Sequence, residues 1–287
     1  MKVPPFPNRL EIELSSACNL RCAYCPRQFI NNLKDFMDFA LLRRLVDEAA
    51  IYPDTIVVLH RRGESLLHPQ FLDILDYVCG KFKEVQLATN ATLLDKKMAK
   101  AIIETVTFLS FSIDTPYRYE KVRLPAKYQK VDANINMFLE MNEVCGKPVK
   151  TQVSMVKTPD VYDNDELFFE NIWADKVDRV RIYDQHSADG QFGSLLQKRL
   201  ERKTCVMPFY EMVIYCDGKV ARCNHDWNGA PLADVQNHKI SDIWHNDTYH
   251  DLRHQQETLQ IKDSVCAHCD SWYPKKGYQG TGKVLEK

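Results

Sequence analysis

Strand-like and helix-like segments alternate along the first 190 residues, and this alternation constrains the fold more than any other feature of the sequence. Apolar and β-branched runs predict strands at residues 10–14, 55–59, 85–88, 106–113, 149–156 and 177–183. Between them, apolar residues recur at helical spacing, which predicts helices at residues 40–51, 69–78, 93–103, 131–139 and 167–173. Strands that alternate with helices build parallel sheets, so the predicted fold class is α/β. Six such units are too few for a complete eight-stranded barrel.

Composition and charge exclude several classes of protein. The formal net charge of −1 provides no basic field for nucleic acid, which we do not expect as a partner. No run of about 18 apolar residues could span a membrane, and the first residues lack the apolar core of a signal peptide. Eight of the ten cysteines fall into two groups, which favours metal sites over disulfides. We therefore expect the protein in the reducing cytoplasm. The other two, Cys79 and Cys145, are predicted to be buried, inert thiols.

The first group of cysteines has the spacing C-x3-C-x2-C and follows the first predicted strand. Its members are Cys18, Cys22 and Cys25. Thiolates suit soft metals and iron–sulfur clusters. Three protein ligands on a four-iron cluster would leave one iron open to a further ligand. On spacing alone, a zinc site remains the alternative.

The second group of cysteines lies in the last third of the chain, after a polar segment at residues 191–203 that we interpret as a linker. It consists of Cys205, Cys216, Cys223, Cys266 and Cys269. Residues 204–274 show no regular alternation of helix and strand patterns, so we expect bound metal rather than a large core to order them. Residues 275–287 are rich in Gly and Lys and predict a flexible tail. These boundaries leave residues 1–190 for the α/β barrel.

The first cysteine motif, with Tyr24 before its third cysteine, resembles the cluster motif of the radical S-adenosylmethionine (SAM) enzymes. The resemblance implies a partial (β/α)6 TIM-like barrel. It also implies a [4Fe–4S] cluster on Cys18, Cys22 and Cys25, with an open iron that binds SAM. In that family an electron from the cluster cleaves SAM to a 5′-deoxyadenosyl radical.

The late cysteines resemble the SPASM/twitch extension of the same enzymes. Supporting matches are Gly218, five positions before Cys223, and the segment at residues 240–244 ahead of Arg253. The resemblance implies a second, auxiliary [4Fe–4S] cluster with four cysteine ligands. We assign these ligands as Cys205, Cys223, Cys266 and Cys269, which leaves Cys216 spare. Zinc is the rival occupant, because C-x2-C pairs bind zinc well.

Segments that follow the second, third and fourth strands resemble SAM-contacting segments of the family. The segment at residues 60–69 resembles Gly-Gly-Glu-Pro-Leu-Leu-His-Pro, with Arg62 in place of the first glycine. The segment at residues 89–92 resembles Thr-Asn-Gly-Thr, with Ala91 in place of glycine, and its asparagine is equally placed to cap the next helix. In the family, a serine and an arginine hold the ribose and the carboxylate of SAM. The contacts that the resemblance implies are Tyr24, Gly63, Glu64, Asn90, Ser112 and Arg123.

The two cysteine groups together favour an oxidation. An auxiliary cluster with four protein ligands implies an electron acceptor near the substrate. Asn224 follows Cys223, where sulfatase-maturing relatives carry an acidic base, and about ten residues precede the first strand, where peptide maturases often carry a leader-binding domain. We therefore expect an oxidoreductase that takes hydrogen from a small-molecule alcohol, sugar or cyclitol. Residues 183–186, after the sixth strand, are candidates to face that substrate.

Other functions remain open. The alternatives are a peptide- or protein-modifying radical SAM/SPASM maturase, a radical SAM epimerase or eliminase, and a non-enzymatic iron–sulfur or zinc protein. The enzyme hypotheses imply an external electron donor such as flavodoxin or ferredoxin. Arg27, Arg61 and Arg62 lie near the predicted barrel mouth, where they could bind a substrate anion or equally remain in solvent. No catalytic acid or base is assigned from the sequence.

Overall fold

The computed structural model describes residues 1–30, 33, 35–185, 202–262, 264–269, 272 and 282–287. Its strands are β1 (Arg9–Ile12), β2 (Arg21–Cys22), β3 (Ile56–Val58), β4 (Val85–Thr89), β5 (Phe108–Ser112), β6 (Arg123–Leu124), β7 (Lys150–Lys157), β8 (Arg179–Asp184), β9 (Glu211–Ile214), β10 (Lys219–Ala221), β11 (Ala233–Asp234) and β12 (Gly282–Glu286). Its helices are α1 (Phe39–Ala49), α2 (Phe71–Val78), α3 (Lys96–Thr105), α4 (Pro116–Val122), α5 (Tyr128–Val144), α6 (Asp163–Trp173), α7 (Met207–Tyr210), α8 (Ile240–Trp244), α9 (Asp247–Thr258) and α10 (Ser264–His268). Short 3-10 helices cover Pro26–Phe29 and Ser65–Leu67.

The six predicted strands are present as β1, β3, β4, β5, β7 and β8, which lie side by side in chain order. Every neighbouring pair among them is parallel. Parallel neighbours need crossover connections, and the predicted helices α1, α2, α3, α5 and α6 lie in them. Arg9 of β1 and Arg181 of β8 line one cavity although four strands separate them in the sheet, so the sheet curves around a lumen. The predicted α/β fold with a partial TIM-like barrel is confirmed.

The two faces of the curved sheet differ in polarity, because side chains alternate between the faces along each strand. On β1, Leu10 and Ile12 are fully buried in the main apolar core with the helices. Arg9 and Glu11 of the same strand are also buried, but they hydrogen-bond to each other at 3.1 Å. A shell of apolar core therefore surrounds a lumen with polar walls.

Aspartates cap the helices that follow β1 and β4. Asp38 accepts a hydrogen bond from the backbone N–H of Leu41 (2.9 Å), and Asp95 accepts one from that of Met98 (2.8 Å). These bonds satisfy donors that the first turn of a helix leaves unpaired. Because Asp95 is the cap of α3, the interpretation of Asn90 as a helix cap is wrong.

The cysteine-rich region shares the core of the barrel. Strand β9 pairs in parallel with β1, as a seventh parallel strand beside the six predicted ones, and β10 and β11 continue the sheet in antiparallel fashion. Met212 and Ile214 of β9, with Trp244 of α8, are buried in the same apolar cluster as the barrel helices. The expectation that metal rather than a core orders residues 204–274 is therefore wrong for this part of the chain. The sequence signal was weak, because β9 is only four residues long.

The predicted flexible tail also needs correction. Gly282–Glu286 form β12, which pairs antiparallel with β8 and extends the sheet at that edge. Residues 275–281, and residues 191–201 of the predicted linker, lie outside the described residues. Cys79 and Cys145 are exposed rather than buried, so that prediction is wrong as well. In the described parts of the chain, no helix combines the length and the apolar character needed to cross a membrane.

Candidate functional site

The three cysteines of the first motif line one cavity of about 340 Å³ at the carboxyl ends of the parallel strands. Their loop is held by a two-stranded ladder in which Cys22 of β2 lies opposite Arg123 of β6. The N–H of Ala23 extends the ladder by donating to the carbonyl of Val122 at 2.9 Å. Burial raises the pKa of all three thiols, so metal binding at this loop must release their protons.

Gly63 fits a gap in which no other residue has room. A Cβ at this position would lie 2.3 Å from the carbonyl oxygens of both Ser15 and Ala17. The next residue, Glu64, donates its backbone N–H to the same Ala17 carbonyl at 2.8 Å. The loop after β3 is thereby packed directly against the backbone that leads into Cys18. Only glycine allows so close an approach.

The Glu64 side chain joins the loops after β3 and β4. Its carboxylate accepts hydrogen bonds from the hydroxyl of Thr89 (2.8 Å) and from the backbone N–H groups of Asn90 (2.8 Å) and Leu66 (3.3 Å). The side chain is 3% exposed, and burial raises its pKa. Glu64 therefore fixes the shape of the cavity wall, in addition to lining the cavity.

Asn90 and Ala91 form the turn that follows β4. The Asn90 side chain accepts from the N–H of Thr92 (3.0 Å) and donates to Asn19 (3.0 Å) in the first cysteine loop. It also donates to the Cys18 sulfur at 3.9 Å. Ala91 has φ 56°, in the left-handed region that favours glycine. Alanine therefore occupies a backbone conformation here that glycine adopts more readily.

Tyr24, Asp114 and Arg123 form a buried set beside the cysteine loop. One carboxylate oxygen of Asp114 accepts from the hydroxyl of Tyr24 (2.9 Å) and from the Nε of Arg123 (2.5 Å). The Arg123 guanidinium also lies 5.4 Å from the centre of the Tyr24 ring. The second oxygen of Asp114 is buried and has no hydrogen-bond partner among the described residues.

The structure gathers the predicted SAM-contacting residues around the first three cysteines. The residues that line the 340 Å³ cavity include Cys18, Cys22, Cys25, Tyr24, Gly63, Glu64, Asn90, Ser112 and Arg123. Tyr183, Asp184 and Gln185, predicted to face a substrate, line it as well. His186 lies outside the described residues. A non-enzymatic iron–sulfur or zinc protein would have no need to bring Glu64, Ser112 and Arg123 together, so their convergence argues against that hypothesis.

The cavity lining also includes residues that sequence reasoning did not assign to the site, among them His60, His225 and Trp227. The Nδ1 of His60 is buried and has no hydrogen-bond partner among the described residues. Burial lowers the pKa of His60 to about 4, so its imidazole is neutral at pH 7. The sequence offered one signal for His60, which is its position directly after a predicted strand.

The side chains of Arg61 and Arg62 contact the cysteine-rich region and do not extend freely into solvent. The Arg61 guanidinium donates to the carbonyl of Asp226 (2.8 Å) and lies 4.8 Å from the Trp227 ring. Arg62 forms two 2.8 Å hydrogen bonds with the buried carboxylate of Glu13. Arg27, the third arginine near the mouth, donates to two backbone carbonyls. The contacts of all three are structural.

Glu13 connects the two cysteine regions. Beyond its pair with Arg62, it accepts from the backbone N–H of Cys216 at 3.1 Å. The Arg62 guanidinium also stacks on the Tyr215 ring at 3.5 Å. Arg62, which replaces the family's first glycine, therefore connects the barrel with the C-terminal region through Glu13 and Tyr215.

The late cysteines approach one another from separate segments. Cys205 precedes α7, Cys223 follows β10, and Cys266 and Cys269 lie one helical turn apart at α10. Burial raises the pKa of Cys205 to about 11 and that of Cys223 well above its usual range. The neighbouring thiol of Cys269 adds to both shifts. Cys205, Cys223 and Cys269 therefore lie close together.

Cys216, the cysteine left spare, is placed elsewhere. It is 6% exposed and packs in the main apolar core, and its neighbours include Glu13 and Ser16. Burial, followed by the charge of Glu13, raises its pKa to about 12. A thiol in this position is a small apolar core residue.

The donor sets fit iron–sulfur clusters better than single zinc ions. Over the described parts of the chain, no three His, Cys, Asp or Glu side chains are grouped so as to hold one metal ion. A zinc site needs its ligands around a single point. A four-iron cluster instead spreads its thiolates over a larger body, and the 340 Å³ cavity that the first three cysteines line leaves room for a further ligand.

A second cavity, of about 480 Å³, fills the lumen of the barrel and is called the lumen cavity below. It shares seven lining residues with the cavity at the cysteine loop, so the two spaces are continuous. These residues are Tyr24, His60, Ala88, Ser112, Arg123, Val156 and Tyr183. At its far end the lumen cavity reaches Tyr210, five residues after Cys205.

Two family models match the chain. The model described as the radical SAM superfamily matches residues 12–167, and the SPASM model, described as an iron–sulfur cluster-binding domain, matches residues 205–270. The first match covers more than half of the chain.

Curated relatives match different shares of the chain. The cofactor-modifying protein of a tungsten-containing aldehyde ferredoxin oxidoreductase from Pyrococcus furiosus is 33% identical over 107 residues, 37% of this chain and 30% of the relative. The subtilosin biosynthesis protein AlbA of Bacillus subtilis is 34% identical over 95 residues, 32% of this chain and 20% of AlbA. These two matches span less than a third of either relative's length. The SAM-dependent 2-deoxy-scyllo-inosamine dehydrogenase of Niallia circulans is 23% identical over 275 residues, 91% of this chain and 92% of the enzyme.

Solved structures share the fold. BtrN in complex with AdoMet and 2-DOIA has a TM-score of 0.65 and 19% identity, with 97% of this chain and 98% of BtrN covered. Streptococcus suis SuiB bound to precursor peptide SuiA has a TM-score of 0.72 and 15% identity, with 93% and 70% covered. A radical SAM domain binds SAM on a [4Fe–4S] cluster, and a SPASM domain binds further iron–sulfur clusters. The chain thus belongs to the radical SAM superfamily, with a SPASM domain after its barrel.

Proposed function

We propose that the protein is an oxidoreductase that removes hydrogen from a small-molecule alcohol, sugar or cyclitol, with an auxiliary [4Fe–4S] cluster as acceptor of the second electron. The lumen cavity carries this proposal. Its volume of about 480 Å³ is in the usual range for small-molecule sites. It opens at one end on the first cysteine loop and reaches the neighbourhood of Cys205 at the other. A small molecule in the lumen would lie between the two cysteine regions.

The residues around the first cysteine loop have distinct roles in this proposal. Cys18, Cys22 and Cys25 would hold the first cluster, and SAM would occupy the 340 Å³ cavity that these cysteines line. When bound, cluster and SAM supply a 5′-deoxyadenosyl radical that takes a hydrogen atom from a C–H bond. The Arg123 fork and the Ser112 hydroxyl are suited to the carboxylate and ribose of SAM. Tyr24, Glu64 and Asn90 shape the same pocket, since each hydrogen-bonds to another part of its wall.

The late cysteines would hold the cluster that accepts the electron. We assign Cys205, Cys223, Cys266 and Cys269 as its ligands, because three of these thiols lie close together and the fourth is one helical turn away. Cys216 remains outside the set, in the apolar core. An external electron donor such as flavodoxin or ferredoxin would reduce the first cluster.

His60 is placed to complete the oxidation of an alcohol. The oxidation would remove a hydrogen atom from the carbinol carbon and a proton from its hydroxyl, and the auxiliary cluster would supply the acceptor of the remaining electron. His60 lines both cavities, and its Nδ1 is buried without a partner among the described residues. Its imidazole is neutral at pH 7 and a weak base, so it would accept a hydrogen bond from the substrate hydroxyl and take the proton as loss of the electron makes that hydroxyl strongly acidic.

Label transfer tests the proposal directly. The reconstituted, dithionite-reduced protein is incubated with SAM and a panel of C–H-deuterated cyclitols, sugars and peptides, and 5′-deoxyadenosine is analysed for deuterium. We expect deuterium from a cyclitol or sugar, with a ketone as the second product. A Cys18→Ala variant is the matched control and should form no 5′-deoxyadenosine. If the wild type also forms none, the enzyme reading is wrong.

Peptide modification is the second candidate, favoured by the 34% identity to AlbA over 95 residues. The dehydrogenase from Niallia circulans matches at lower identity but over 91% of the chain, which supports the small-molecule proposal instead. Deuterium transfer from the peptides, and from none of the sugars or cyclitols, would establish the second candidate and exclude the first.

A further inference from the structure

The short ladder of β2 and β6 has two different faces. Cys22 and Arg123 lie directly opposite each other in it, so their side chains share one face, and both line the cavity at the first cysteine loop. Arg21 and Leu124, the other pair of the ladder, are exposed. Opposite residues of an antiparallel ladder have their Cβ atoms about 5 Å apart. A permanent cation is therefore the immediate neighbour of one thiol in the first cysteine group.

The guanidinium of Arg123 lies between this thiol and a carboxylate. Its Nε donates to Asp114 at 2.5 Å, and the two residues are only 5% and 1% exposed. Burial raises the pKa of the Cys22 thiol, whereas the charge of Arg123 and a hydrogen bond from its side chain oppose that rise. Asp114 acts on the same thiol more weakly than Arg123 does. The ion pair thus turns its positive end toward Cys22.

The surroundings of the ion pair keep the guanidinium charged. Burial disfavours the charged form of Arg123, but Tyr24 and Asp114 outweigh that effect and raise its pKa. The Tyr24 hydroxyl also donates to the Asp114 oxygen that accepts from Arg123, at 2.9 Å. Because the pair is buried, solvent and salt screen its field less than they would at the surface. Its charges therefore act strongly on whatever the cysteine loop holds.

A cluster bound at this loop would respond to such a pair. Reduction adds one electron, and with it one negative charge, to a [4Fe–4S] cluster. Net charge, hydrogen bonds to the sulfurs and solvent exposure set the reduction potential of these clusters. A cation beside a ligand sulfur stabilises the reduced form, whereas a carboxylate opposes reduction. Since Arg123 is the nearer of the two charges, the pair as a whole favours reduction.

We propose that Arg123 and Asp114 together set the reduction potential of the first cluster. Arg123 raises this potential through its charge beside Cys22, and Asp114 is a positioning residue that fixes the guanidinium and moderates its effect. The electron comes from an external one-electron donor of the flavodoxin or ferredoxin class. A higher potential lets that donor keep a larger share of the cluster reduced. This inference rests on the proposed assignment of Cys18, Cys22 and Cys25 as the ligands of that cluster.

A redox titration of the full chain with its clusters reconstituted tests the inference. Electron paramagnetic resonance, recorded without SAM, follows the reduced form of each cluster. The signal that changes when SAM is then added belongs to the first cluster, and the auxiliary cluster serves as an internal reference. Arg123→Met should lower the ratio of reduced to oxidised first cluster at least tenfold at a fixed potential, a downward midpoint shift of about 59 mV. Asp114→Asn should raise that ratio about 2- to 5-fold.

Further variants separate charge from structure. Arg123→Lys keeps the charge and should stay within about threefold of the wild type. The double variant Arg123→Met/Asp114→Asn leaves no buried charge unpaired and should still lower the midpoint, because the nearer charge dominates. Arg118 and Asp160 form an ion pair of the same kind (2.6 Å), and neither residue lines the cavity. Arg118→Met and Asp160→Asn are the matched controls and should leave both midpoints unchanged. Iron and sulfide are measured for each variant.

The outcomes separate this inference from the proposed cluster itself. An unchanged first midpoint in Arg123→Met and in the double variant, at full iron content, would overturn the inference. Shifts of Arg123→Met and Asp114→Asn in the same direction, or equal shifts of both clusters, would overturn it as well. If Arg123→Met loses its iron, Asp114→Asn decides, and a midpoint that does not rise there rejects the inference. A wild type without any SAM-sensitive iron–sulfur signal would instead reject the proposed first cluster.

Discussion

The two groups of cysteines are built in opposite ways. The first group comes from one loop of eight residues, from Cys18 to Cys25, and its thiols line a cavity. The late thiols come from segments up to 64 residues apart, from Cys205 to Cys269, and packing brings them together. The spacing of the cysteines along one loop therefore determines the first site, whereas the packing of distant segments on the shared core determines the second. The first site also lines a cavity that leaves room for a ligand.

Replacement of single cysteines should have the largest effect of the changes considered, and it should affect the two sites differently. Cys22→Ala should abolish 5′-deoxyadenosine formation and remove about four of about eight irons. Cys223→Ala should lose a similar amount of iron and the oxidised product, but keep SAM cleavage. Iron, sulfide and 5′-deoxyadenosine are measured for each variant.

Cys216→Ala and Cys79→Ala are the matched controls, since the first thiol is in the apolar core and the second is exposed. Both should keep the full iron content. Loss of the auxiliary cluster in Cys216→Ala would mean that the ligand assignment is wrong.

Gly63→Ala should damage the first site and spare the second. The added methyl group would meet two backbone carbonyls at 2.3 Å, so the cysteine loop must move, at a cost of about 3 kcal/mol. The control is Gly80→Ala, where φ is +72° but the space is open, and about 1 kcal/mol is expected. Denaturant unfolding and iron content are the measurements. Equal losses of stability in the two variants would contradict the close approach.

Arg62→Met tests the connection between the two regions. The variant leaves the carboxylate of Glu13 buried without its main partner, which should cost about 3 kcal/mol in the free energy of unfolding. A Glu13→Gln/Arg62→Met double variant should recover much of that loss. At the exposed pair of Lys100 and Glu104, Lys100→Met should cost less than about 1 kcal/mol. A similarly small loss in Arg62→Met would show that the ion pair of Arg62 with Glu13 adds little to the free energy of unfolding.

His60 should give the smallest effect, and one that depends on pH. Its pKa is about 4 in the folded chain and about 6.5 when unfolded. A lowered folded pKa gives stability that is present above pH 6.5 and lost as the pH falls toward 4. Between pH 8 and pH 5 the loss should be about 2 kcal/mol, and His60→Asn should not show it. An exposed control, His250→Asn, should keep the wild-type pH profile. Identical profiles for His60→Asn and wild type would argue against a buried neutral imidazole.

The sequence predicted those features of the fold and the site that depend on residues close together in the chain. The C-x3-C-x2-C motif was recognised from its spacing and the six strands from their apolar runs, whereas Glu64 and Asn90 were predicted from the resemblance to SAM-contacting segments of the family. The role of Arg62 was not predicted, because its partners Glu13 and Tyr215 are distant in sequence.

The polar lumen was missed although the sequence carried a signal for it. Strands buried on both faces of a parallel sheet usually read as continuous apolar runs. In β8 arginine occupies every second position at Arg179 and Arg181, and in β1 Arg9 and Glu11 alternate with apolar residues. This alternation is visible in the sequence, but it identifies an inner wall only once the curvature of the sheet is known.

The parallel pairing of β1 with β9 has a consequence for the relative position of the two cysteine regions. The first cysteine loop follows the carboxyl end of β1, whereas Cys205 precedes the amino end of β9 through α7. Four residue pairs, from Arg9 with Glu211 to Ile12 with Ile214, fix the register between these strands. This ladder links the strand that leads into the first cysteine loop with the strand that follows Cys205. The sheet itself therefore limits how far the two cysteine regions can move apart.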